Sequence, residues 1–102
     1  MNGTDDILDA AYELAKNAFT PISHADAKEK LHEQFPSLEW DELVEAYMRG
    51  SELAEKCYEI GDKARRENIP DQEALAILAK KYSGFSDKTY NDALRRGWFL
   101  SR

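Results

Sequence analysis

Apolar residues recur at three- and four-residue spacing along almost the whole chain, and the pattern predicts an all-α protein of about six helices. Ile7, Leu8, Ala11, Leu14, Ala15, Ala18 and Phe19 form one inward face of a first helix, opened by Thr4 as N-cap with Asp5 and Asp6 in its first turn. Thr20-Pro21 interrupts the pattern, and Ser23 with Asp26 reads as a capping box for a second helix that turns Ala27, Leu31 and Phe35 inward. Pro36 disfavours helical geometry at Phe35, and Ser37 or Glu39 opens a third helix carrying Trp40, Leu43, Val44 and Tyr47. Gly50 supplies an end for it; the alternative, one continuous helix over 40–66, costs about 1 kcal/mol for the interior glycine. A fourth helix buries Leu53, Ala54, Cys57, Ile60, Gly61 and Ala64, and Ile69-Pro70-Asp71 closes it and starts a fifth with Ile77, Leu78 and Tyr82 inward. Ser83-Gly84 forms the next break. Ser86 caps a sixth helix whose buried face is Tyr90, Ala93 and Leu94 and whose expected end is Gly97, leaving Trp98-Phe99-Leu100 as an aromatic tail.

The later helices restate the earlier ones. With no gap, Leu31–Gly50 aligns with Leu78–Gly97 at an offset of 47, and the first helix aligns with the fourth at 46, so that Tyr12-Glu13 meets Tyr58-Glu59 and Ala11 meets Cys57. Six of 29 aligned pairs from Ile22 to Gly50 are identical, few enough that the shared helical period competes with duplication as the explanation. Two related three-helix halves, 4–50 and 51–97, are expected to share one core in a single domain spanning 1–102, because each half is small for burying its apolar face alone.

Charge divides the chain unevenly. Residues 1–78 hold eight basic and eighteen acidic side chains, and residues 79–102 hold six basic and two acidic, so a net charge of −6 resolves into an acidic body and a basic C-terminal patch. Such a body repels nucleic acid at long range and favours basic partners, while the patch grips an anion only locally. The acidic N-terminus and the absence of any long apolar run predict a cytoplasmic protein with no membrane partner, and a single cysteine fits a reducing compartment.

No reaction is marked. His24 and His32 lie eight residues apart, about 12 Å along a helix, too far to share a zinc ion. Cys57 sits on an apolar face as a small hydrophobe, and the acidic pairs Asp5-Asp6 and Asp41-Glu42 read as helix-start charges with no calcium-loop glycine. No catalytic residue, cofactor or metal is expected, and the protein is read as a non-catalytic module that binds a macromolecule.

Two stretches carry resemblances. Residues 78–97, LAKKYSGFSDKTYNDALRRG, resemble a helix-turn-helix, with Ala79 in the first helix, Gly84 in the turn and Ser86 capping the second. The resemblance implies Lys88, Thr89, Asn91, Arg95 and Arg96 as phosphate or base contacts, although the turn is one residue long for the pattern and Asp87 and Asp92 add negative charge. Leu31–Tyr47, with Phe35-Pro36 in its break, looks like the first part of a ubiquitin-binding module of the CUE type, but Ala46-Tyr47 stands where that family has its di-leucine. Phe35, Pro36 and Leu38 are the expected exposed apolar corner. Trp98 and Phe99 either fold back to close the core or anchor a protein partner. A protein partner is the first expectation and DNA, through residues 79–102, the second.

Overall fold

The structure, a computed structural model, describes residues 3–100, with side chains from Ile7; the Thr4 cap and the Asp5-Asp6 pair lie outside the described side chains. Among the described residues there are five helices and no strand: α1 (Gly3–Ala15), α2 (Pro21–Gln34), α3 (Trp40–Glu67), α4 (Asp71–Lys81) and α5 (Asp87–Leu100). Five replaces six because the expected third and fourth helices are one. Gly50 is not a C-cap. It is where α3 meets α1: a Cβ at Gly50 would stand 2.5 Å from the backbone nitrogen of Tyr12 and 2.7 Å from the carbonyl carbon of Ala11. The missing side chain allows that approach, and the helix continues through it.

The expected stop at Gly97 fails for the same reason. A Cβ there would stand 2.8 Å from the Cys57 carbonyl carbon and closer still to its oxygen, and one at Gly61 would collide with the backbone of Gly97 and Trp98. Gly61 and Gly97 together let α5 lie against the second half of α3, so α5 runs on to Leu100. α3 ends instead at Glu67, where the next residue, Asn68, adopts a left-handed conformation (φ 54°) while the Ile69 N–H bonds back to the Ala64 carbonyl at 3.0 Å. That is a Schellman closure with asparagine in place of glycine.

Two other boundaries move. Pro21 starts α2 and does not merely break α1: it sits in the first turn, where its missing N–H is no loss, and the Thr20 hydroxyl accepts from the Ser23 N–H at 3.0 Å. α1 ends at Ala15, beyond which the chain tightens to i→i+3 bonds (Asn17 N–H to Leu14, Ala18 N–H to Ala15). That tightening breaks the 3.6-residue register. Ala18 stays buried, but Phe19, expected in the core, is 80% exposed.

Contacts divide the chain into two compact units, Met1–Glu52 and Leu53–Arg102. In the first, α1 packs on α2, and Leu8, Ala11, Tyr12, Leu31 and Leu43 are fully or almost fully buried. In the second, α4 packs on α5 around Leu53, Cys57, Ala74, Leu78 and Ala93. The breaks in the two units match in detail. α2 and α4 end 47 residues apart and α3 and α5 begin 47 apart. Phe35 and Tyr82, at the two C-caps, adopt φ/ψ of −130°/63° and −126°/72°, each with its N–H on the leucine four residues back.

Candidate functional site

In the first unit the sequence after α2 cannot stay helical, because Pro36 follows Phe35, and the chain turns through Phe35–Leu38 before Glu39 begins the bonds of α3. The turn leaves Phe35 and Leu38 half-buried and Pro36 exposed. Beside it lies a groove of about 440 Å³, with Ile7, Leu8, Phe35, Leu38 and Ala46 as its apolar wall and Glu42, Glu45 and Arg49 as its polar edge. The expected corner is therefore one side of a concave surface. Its other side was not legible, because Ile7, Leu8 and Ala46 read as core and Glu42 and Glu45 as ordinary surface acids.

Polar and aromatic contacts hold α2 in place. His24 Nδ1 shares a hydrogen bond with the Tyr47 hydroxyl, Lys28 lies over the Tyr47 ring at 5.7 Å from its centre, and His32 meets Trp40 edge-on at 5.9 Å. Neither histidine joins a metal set: among the described residues no three histidine, cysteine or carboxylate side chains come together as ligands.

In the second unit the five side chains implied by the helix-turn-helix resemblance separate. Lys88, Asn91 and Arg95 are exposed on α5 at i, i+3 and i+7, one face of the helix. Thr89 is turned inward, 4% exposed, with its N–H on the Ser86 hydroxyl at 3.3 Å, so it supports the cap and is not on the surface. Arg96 is half-buried, and its Nε is a buried nitrogen with no hydrogen-bond partner. Trp98, Phe99 and Leu100 continue α5 and are 41%, 64% and 55% exposed, so they do not fold back to close the core.

Cys57 is fully buried on α3, its thiol donating to the Ala54 carbonyl at 3.4 Å. Burial pushes its pKa up to about 11, against a smaller downward pull from the Arg96 charge. A thiol held protonated in this way is a packing group and not a nucleophile.

No family model, curated protein or solved structure matches the chain. The function therefore rests on these surfaces alone. Among the described residues no helix is long and apolar enough to cross a membrane. The charge follows the two units: residues 1–52 carry twelve acidic and four basic side chains, net −8, and residues 53–102 carry eight and ten, net +2.

Proposed function

We propose that the chain is a non-catalytic protein-interaction module made of two related halves, and that the first half binds a protein partner at the Phe35-Pro36-Leu38 corner. The observation that carries this reading is the groove beside that corner, where two half-buried apolar side chains border a concavity large enough for anchoring side chains. Trp98 and Phe99 supply a second apolar surface on the other half. Relatedness is supported by the paired glycine crossings. Gly50 approaches Ala11 and Tyr12, Gly97 approaches Cys57 and Tyr58, and these positions correspond at the same two offsets, 47 and 46, that align the sequence.

The test is quantitative capture from cell extract on immobilised wild-type chain and on folded Leu38→Asp and Trp98→Ala variants. A protein retained by the wild type and lost with Leu38→Asp supports the corner; one lost only with Trp98→Ala moves the site to α5. Equal retention by all three refutes both.

The second reading, a helix-turn-helix DNA-binding protein, keeps Lys88, Asn91, Arg95 and Arg96 and draws on the shared exposed face of the first three. Titration with mixed-sequence duplex separates it from the first. Amide shifts on residues 86–96 at low salt that vanish near about 200 mM support DNA binding, and no shift at low salt excludes it.

A further inference from the structure

We infer that the groove of the Met1–Glu52 unit takes a basic amphipathic helix. The inference rests on the interaction reading above and gives that partner its chemistry.

The groove is open where the corresponding surface of the other unit is closed. Tyr82 and Phe85 stand 47 residues beyond Phe35 and Leu38, and both are buried, as are Thr89 opposite Glu42 and Ala93 opposite Ala46. Part of that closure comes from Tyr90, whose hydroxyl donates to the Tyr82 carbonyl and accepts from the Phe85 N–H at 3.2 Å while its ring meets Phe85 edge-on. Leu43, opposite Tyr90, has no hydroxyl with which to draw the Phe35–Leu38 turn inward. Among the described residues, none covers the apolar wall there.

What covers it must also answer the charge. Glu39, Asp41, Glu42 and Glu45 are all exposed around the start of α3, and Glu42 and Glu45 line the groove itself. At the corresponding positions of the other unit stand Ser86, Lys88, Thr89 and Asp92, so three of the four acids are particular to the open surface and only Glu45 has an acidic counterpart. A purely apolar occupant would strip water from two carboxylates without replacing it, whereas lysine or arginine flanking apolar anchors replaces it with ion pairs. Arg49 sits at one end and leaves the carboxylates in the majority. From Glu42 to Arg49 the groove follows α3 for about 10 Å, two helical turns. That length suits a helix with apolar anchors at i, i+3 or i+4 and i+7.

The test titrates the isotopically labelled full chain with two synthetic amphipathic helices, one of leucine and lysine and one of leucine and glutamate. The lysine helix is expected to shift the amides of Phe35, Leu38, Glu42 and Ala46, and the glutamate helix to leave them in place. Glu42→Lys with Glu45→Lys should weaken the lysine helix about tenfold or more, while Glu55→Lys with Glu59→Lys, the same change of net charge outside the groove, should weaken it less than about threefold. Equal losses from the two pairs would reduce the effect to net charge and overturn the proposal. Shifts of the groove by the glutamate helix would overturn the partner's chemistry and leave the interaction reading in place. If neither helix moves these amides the proposal falls, and the interaction reading is then decided by the capture experiment on Leu38→Asp.

Discussion

Replacing Gly97 by alanine sets two effects against each other with opposite signs. In a helix interior the change is worth about 1 kcal/mol in favour of alanine, because glycine loses more conformational freedom on folding. The added Cβ, however, would lie 2.8 Å from the Cys57 carbonyl carbon, 3.3 Å from the Tyr58 nitrogen and nearer still to the Cys57 oxygen. Carbon atoms settle at roughly 3.5–4.0 Å, so α5 and α3 must part by on the order of 1 Å. All three atoms are backbone inside a helix, and no rotamer change relieves them. Overpacking of this kind costs about 1–3 kcal/mol, and the top of that range applies here. The net expectation is a loss of about 2 kcal/mol, or roughly 8–16 °C in Tm at about 4–8 °C per kcal/mol for a chain of this size. Urea denaturation followed by circular dichroism at 222 nm measures it, with an unchanged m value as the control for the unfolded state. Gly61→Ala should behave alike, and the double variant should cost less than the sum, since helices already parted accept the second methyl more easily. A Gly97→Ala protein as stable as the wild type, or more so, would refute the close-approach argument and return Gly97 to the role of a helix-end residue.

Two further perturbations probe the second unit. Tyr90→Phe removes the hydroxyl that makes two buried hydrogen bonds, to the Tyr82 carbonyl and from the Phe85 N–H, and should cost about 2 kcal/mol by the same denaturation assay; an unchanged value would dismiss the clamp. Cys57 keeps its proton in the folded state up to about pH 11 but loses it near 9.0 when unfolded. Its contribution is therefore complete below pH 9 and lost as pH rises toward 11. Relative to Cys57→Ala, the wild type should lose up to roughly 2–3 kcal/mol across that interval, and parallel pH profiles for the two proteins would contradict it.

The inward faces of α1, α3, α4 and α5 were legible because apolar spacing reports helix orientation directly: Leu8, Ala11, Leu43, Leu53, Cys57, Leu78 and Ala93 are all buried as their spacing predicts. The glycines misled because the same residue serves both a left-handed cap and a close crossing. Only the position of the opposing backbone separates the two, and sequence does not state it for Gly50 or Gly97. Phe19 misled because the turn tightens after Ala15, which keeps Ala18 inward but carries Phe19 out of the helical register. The groove was half legible. Pro36 announced the turn and hence Phe35 and Leu38, but concavity depends on what is missing between elements, and no residue encodes that by itself. Thr89, placed on the recognition face by analogy, is claimed by the cap of its own helix.

α2 buries only Ala27 and Leu31 among its fourteen residues. Much of what fastens it is polar or aromatic: His24 and Lys28 on Tyr47, His32 on Trp40 and the Thr20 cap. Such a helix sits at the low end of the local stability range, and its amides should exchange with solvent long before those around Leu43 and Ala46. Phe35 is both the C-cap of α2 and a wall of the groove. An occupant that pins Phe35 therefore slows exchange along the helix leading into it. Occupancy of the groove becomes readable as deuterium retained at residues 24–34, none of which the occupant needs to touch.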